Sequence, residues 1–150
     1  MTRFALAVAA VALAVGFAPA QDDAAKKAAK ELEGTDTLKA MSMGGQPAPA
    51  ERLKELKEFV IRGDQLVAVK PDGKEDPAGF KLDPTAKPAA IDLIPPKDKT
   101  NEKPRPGIYK LEKGELTIVF GMKGDSARPT DFKGDGQDQM MMVLVKKDKK

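Results

Sequence analysis

The sequence predicts an all-β protein: a small antiparallel barrel of about eight strands that follows a short helical N-terminal lead-in. Apolar and polar residues alternate over short segments, which is typical of strands with one buried face. Turns containing Gly or Pro separate these segments at short intervals along the chain. About eight strands are enough to close a small barrel, and closure removes the exposed edges of an open sheet. A β-sandwich is the alternative fold.

The clearest strand pair is a hairpin. Residues 107–111 and 115–120 both alternate, and Gly114 lies between them, where a tight turn needs a positive φ. One face of the second strand carries only large apolar side chains, so we expect that face to form part of the core. These side chains are Leu116, Ile118 and Phe120.

The remaining strands are predicted from the same alternation. They cover residues 35–43, 59–62, 65–69, 79–82, 90–94 and 139–145. A one- or two-turn helix is predicted at residues 50–56, with Pro49 at its start. Prolines predict loops at residues 83–88 and 95–106, because proline cannot donate to a strand ladder. The last strand is a continuous apolar run, which predicts burial on both of its faces.

The first 20 residues are predicted to be a secretory signal peptide. Arg3 provides the positive charge, residues 4–17 are apolar or Gly, and residues 18–20 fit the small-x-small cleavage pattern. A retained anchor is the alternative, although an apolar run of about 14 residues is short for a bilayer. We therefore expect an exported protein, periplasmic or extracellular, with no membrane span after cleavage. The remaining parts are a flexible or helical lead-in (21–30), the barrel domain (31–147) and a basic tail (148–150).

The composition excludes several classes of function. The chain has no Cys and no His, which removes Cys nucleophiles, His general bases, Ser-His-Asp triads and most zinc sites. Paired carboxylates are the remaining acid–base machinery, and no pattern marks one of them as buried. We therefore expect that the protein has no enzymatic activity and binds no cofactor. Loss of residues 1–20 leaves 25 basic and 23 acidic residues, interspersed along the chain, which gives no case for nucleic-acid binding.

Five residues are candidates for a ligand site. They are Tyr109, Phe120, Met140, Met142 and Arg128. Thioethers repack around varied apolar ligands, although ordinary core packing is the alternative for both methionines, which share a face with Leu144. Arg128 either binds an anionic ligand at a barrel mouth or pairs with a nearby acid. These residues favour a binding module for a small apolar ligand or a protein partner. The alternative is a structural or protein-interaction domain whose barrel is filled by side chains and has no small-molecule site.

The last long loop, residues 121–138, is rich in carboxylates. Asp131, Asp135 and Asp138 lie close together there, with Gly residues between them. Oxygen-rich loops of this kind can bind calcium, but the spacing does not match an EF-hand or a Gly-rich calcium repeat. We therefore expect a solvated loop and no metal.

Five short motifs, in this order, resemble a known family. They are ELEGT (31–35), GFKLDP (79–84), KPAAIDL (87–93), GIYKL (107–111) and RPTDF (128–132). The chain resembles the lipocalin-like domains of unknown function that occur in many exported planctomycete proteins, and the resemblance covers residues 30–146. It implies a β-barrel and an exported location, and it implies no particular activity.

The sequence departs from that family at one position. Family members usually carry Trp two residues after the Gly of the ELEGT motif, whereas this chain has Asp36 and no Trp anywhere. The resemblance therefore implies that one barrel end is looser, or that Tyr109 or Phe59 covers it instead. An ion pair of Asp36 with Arg128 or Arg62 is a further hypothesis, because an Arg stacks over the Trp in lipocalins.

Overall fold

The structure is a computed structural model that describes residues 19–56, 58–96 and 101–147. Most of the predicted signal peptide (residues 1–18) and the predicted basic tail lie outside the described residues. Two helices are present in these ranges, α1 (Pro19–Leu32) and α2 (Ala50–Glu55). The strands are β1 (Gly34–Met43), β2 (Gln46–Pro47), β3 (Glu58–Arg62), β4 (Gln65–Val69), β5 (Glu75–Asp83), β6 (Ala90–Ile94), β7 (Arg105–Glu112), β8 (Glu115–Gly121) and β9 (Gln139–Lys146).

The strands form a closed antiparallel barrel, as predicted. Their order is β2-β1-β3-β4-β5-β6-β7-β8-β9, and β1 also pairs with β9. This last pairing joins the two ends of the sheet into eight strands, with the two-residue β2 added beside β1. A bulge between Leu38 and Ala40 shifts the β1–β9 register, and such bulges increase strand bending. The barrel is confirmed and the β-sandwich is excluded.

The β7–β8 hairpin has the predicted turn. Lys113 and Gly114 both have positive φ angles, 51° and 75°, which is the backbone of a two-residue turn that matches strand twist. Strand β7 begins two residues before its predicted start and ends one residue after its predicted end, and β8 ends one residue later than predicted. In register, Tyr109 lies opposite Ile118, and Gly107 lies opposite Phe120.

Strand β5 begins at Glu75, four residues before the predicted start at residue 79, and this added part contains Pro77. Residues 75–78 of β5 pair with β4 alone, since β6 begins to pair only at Gly79. One side of β5 is therefore an edge at Pro77, where a missing N–H group is tolerated. Residues 75–78, for which no strand was predicted, add Asp76 and Ala78 to the barrel wall.

The hydrophobic core lies inside the barrel. All three predicted core side chains of β8, together with Met142 and Leu144 of β9, are buried there. The outer face of β8 is buried as well, because residues 122–138 lie across it. This loop contacts the strands on both sides of β8: Arg128 donates to the Gly107 carbonyl of β7, and Gly134 contacts Met141 of β9. Burial on both faces was predicted for β9, but that prediction is wrong. The outer residues Met141, Val143 and Val145 stay partly exposed, although Gly134 of the loop contacts Met141.

The two helices lie at opposite ends of the barrel. Helix α1, which includes residues 21–30, buries Leu32 in the core at the end formed by Gly34, the β7–β8 turn and Lys146. We call this the closed end. Helix α2 packs Leu53 against the core at the other end, where β3, β5 and β7 begin. We call that the open end.

Candidate functional site

The closed end is held by the side chain of Lys146. Its Nζ donates hydrogen bonds to the carbonyl oxygens of Leu32 at 2.6 Å and Glu33 at 2.8 Å. The last carbonyls of a helix have no partner within it, and a cation there is also favoured by the helix dipole. Gly34 makes room for this contact, since an added Cβ would lie 3.2 Å from the Lys146 Nζ. Lys146 therefore attaches α1 to the barrel.

Asp36 completes the closed end. Only 1% of the residue is exposed, and its Oδ1 lies 3.6 Å from the Lys146 Nζ. Its Oδ2 is buried and has no hydrogen-bond partner among the described residues. Burial raises the pKa of this carboxyl above the ordinary 3.8, and the nearby ammonium opposes that rise. An ion pair thus lies at the position where the resemblance predicted from the sequence implied an aromatic side chain.

The ion-pair hypothesis for Asp36 was wrong about the partner. Arg128 bonds the Asp92 carboxylate at 2.7 Å on the outside of the barrel, and Arg62 bonds Glu75 at 3.1 Å. Both arginines are satisfied elsewhere, and the cation that reaches Asp36 comes from the last strand. The two residues face each other because the β1–β9 register places Asp36 opposite Lys146.

At the open end, the interior contains a cavity of about 210 Å³. Its walls are apolar and include Phe59, Leu66, Ala68, Leu93, Phe120 and Met142. The space arises where Ala68 of β4 and Ala78 of β5 occupy inward positions that elsewhere carry larger side chains such as Leu66 and Phe80. Short side chains on two neighbouring strands therefore leave part of the core unfilled.

Charged side chains surround the mouth of this cavity. Asp76, Glu102 and Arg105 line it, next to Ile94, which is 41% exposed. The Arg105 Nη2 bonds the Glu102 Oε2 at 3.2 Å. Within the described part of the chain, the Asp76 carboxylate has no hydrogen-bond or ion-pair partner. An apolar cavity with charges only at its rim is a typical small-molecule site.

The structure brings together two of the five predicted site residues. Phe120 and Met142 line the cavity, and Met140 packs against the core without lining it. Tyr109 lies at the closed end, in a shallow groove of about 450 Å³ beside α1. Arg128 is on the outer surface, where it pairs with Asp92. Of the two roles that the sequence left open for Arg128, this is pairing with a nearby acid.

Sequence reasoning missed several cavity residues. Ala68 could have been found, because the alternation of residues 65–69 places this small side chain on the inward face of the strand. Asp76 and Ala78 were not identified, because the predicted strand began only at residue 79. Arg105 was assigned to the loop before β7, although it is the first residue of that strand.

The carboxylates of the last loop do not gather into a metal site. The Asp131 Oδ1 accepts a hydrogen bond from the Lys133 backbone N–H at 3.1 Å, an ordinary turn contact. Within residues 19–56, 58–96 and 101–147, no three potential metal-ligating acids lie together. In the same ranges, the helices are too short or too polar to span a bilayer.

No protein-family model, curated protein or solved structure matches this chain. The geometry alone therefore supports the functional argument, and the resemblance to lipocalin-like domains stays a prediction. The fold and site define a class: a closed eight-stranded antiparallel barrel with one end sealed by a helix and a small apolar cavity at the other.

Replacing Asp36 with Asn should change the pH dependence of stability. The raised pKa means that the folded state keeps a proton that the unfolded state has already lost. This stabilising contribution is complete below the unfolded pKa of about 3.8 and declines as pH rises through the folded pKa. Urea unfolding should therefore show the wild type losing stability relative to Asp36→Asn across that interval. Asp64→Asn, which removes an exposed carboxylate at the same barrel end, controls for charge alone. If the free energy of unfolding of the wild type rises relative to that of Asp36→Asn as the pH increases, this account is contradicted.

Replacing Lys146 with Met should lower the free energy of unfolding by about 3 kcal/mol, because two helix carbonyls and a buried carboxylate lose their cation. Lys147→Met is the matched control on the neighbouring residue. It removes an exposed ion pair with Glu58 and should cost at most about 1 kcal/mol. The double variant Lys146→Met/Asp36→Asn should recover part of the loss, since it leaves no buried charge. Equal urea-unfolding costs for the two single lysine variants would show that Lys146 does not hold the closed end.

Proposed function

We propose that the protein is an exported, non-enzymatic binding module that holds a small apolar molecule at the open end of its barrel. The observation that carries the proposal is the cavity of about 210 Å³ with apolar walls. An apolar cavity of about 150 Å³ engineered in another protein stays dry and binds benzene. The present cavity is therefore large enough for one ring with a short substituent.

The size of the cavity limits the ligand. Sites for drug-sized molecules are usually about 300–1,000 Å³, so the cavity suits a smaller compound. Below the cavity the barrel is filled by large side chains such as Ile118 and Leu144, which are at most 1% exposed. A long acyl chain running down the barrel axis would have to displace them. We therefore propose a ligand of about one ring or a short chain.

The absence of enzymatic activity is supported by the placement of the titratable groups. The buried carboxylate of Asp36 is neutralised by Lys146 at the closed end and does not line the cavity. The charged groups near the cavity are Asp76, Glu102 and Arg105, and they lie at its exposed mouth. Export is supported by the sequence, in particular by the signal-peptide pattern of residues 1–20.

A protein-interaction or structural domain with no small-molecule site is the second candidate. The small volume of the cavity favours it, because most of the barrel interior is already occupied by side chains. The two candidates differ in one measurable property: only the first requires the cavity to accept a molecule from solution.

Titration with toluene, followed by amide NMR shifts, tests the proposal. Toluene should shift amides of β4, β5 and β8 around the cavity. Ala68→Leu should abolish these shifts, because the larger side chain fills the space left by the alanine. Ala127→Leu, which adds the same atoms at an exposed position of the last loop, should leave binding unchanged. If toluene does not bind the wild type, or binds Ala68→Leu equally well, the second candidate replaces the first.

A further inference from the structure

The charges at the cavity mouth are unequal. The Asp76 and Glu102 side chains are negative, and Arg105 is the one positive side chain among the described lining residues. Arg105 and Glu102 already bond each other at 3.2 Å. This leaves the carboxylate of Asp76 without a partner within the described part of the chain.

Strand geometry places Asp76 directly above the apolar space. Asp76 lies opposite Ala68 in the β4–β5 register, and it is two residues from Ala78 on the same face of β5. Both alanines line the cavity. A molecule whose apolar part rests against these alanines therefore has its other end next to the Asp76 carboxylate.

We infer that the ligand of the cavity is a small apolar amine, with its apolar body between the alanines and phenylalanines and its ammonium group beside Asp76. This inference rests on the proposed function, since it assigns a ligand class to the same cavity. An anionic ligand would meet Asp76 and would compete with Glu102 for Arg105. A cationic ligand pairs with Asp76 and leaves the Arg105–Glu102 contact intact.

The expected preference is modest, because the mouth is exposed to solvent. Exposed ion pairs typically change an equilibrium constant by about two- to fivefold. Most of the affinity would come from burial of the apolar body, and the charge would select among bodies of similar shape. The preference should also weaken as salt is added, whereas binding of a neutral molecule should not.

Benzylamine and benzyl alcohol are suitable probes, because they differ mainly in an ammonium or hydroxyl group on the same ring. Dissociation constants at neutral pH, from NMR titration of the whole protein, should favour benzylamine by about two- to fivefold. Asp76→Asn should reduce this ratio to about one, because it removes the unpaired charge. Arg105→Gln should raise the ratio, because it releases Glu102. Asp64→Asn, at the closed end, is the matched control and should leave the ratio unchanged.

The outcomes separate this inference from the proposed function. If toluene and benzyl alcohol bind but benzylamine has no advantage, or if Asp76→Asn does not change the ratio, the amine inference is overturned and the apolar site remains. If toluene, benzyl alcohol and benzylamine all fail to bind, both the inference and the proposed function are overturned.

Discussion

Pairing of β1 with β9 is the interaction on which the rest of the structure depends. It converts a sheet with two edges into a barrel, and it sets Leu38 opposite Leu144 and Met41 opposite Met142 inside the core. The same register brings Lys146 to the end of α1. Closure of the barrel, attachment of the helix and neutralisation of the buried carboxylate are therefore consequences of one strand pairing.

The interior of the barrel is filled differently at its two ends. The closed end is filled by a helix, a lysine and a buried acid, which seal the interior but leave the Asp36 Oδ2 without a partner among the described residues. Such a pair contributes less net stability than an apolar plug of similar volume, because its charges lose their hydration. At the open end, Ala68 and Ala78 leave space that a larger side chain would fill. This apolar cavity therefore lies away from the interactions that hold α1.

Local patterns in the sequence predicted the strands, the β7–β8 turn and the inward face of β8, because alternation and turn chemistry depend on neighbouring residues alone. The partner of Asp36 was not predictable in this way, because Lys146 is far from it in the sequence. Only the pairing of β1 with β9 brings the two residues together. The early start of β5, which includes Pro77, was missed for a related reason. Whether a proline fits in a strand depends on where the next strand ends, and that information is not local.

The central claim is that an apolar molecule can enter this barrel at its open end and not at its closed end. Crystals of the protein pressurised with xenon test this most directly, because xenon occupies apolar cavities without requiring a polar contact. The account predicts a xenon atom among Leu66, Phe120 and Met142, and none between Asp36 and Lys146. Absence of xenon from the open-end cavity, or xenon bound at the closed end instead, would contradict it.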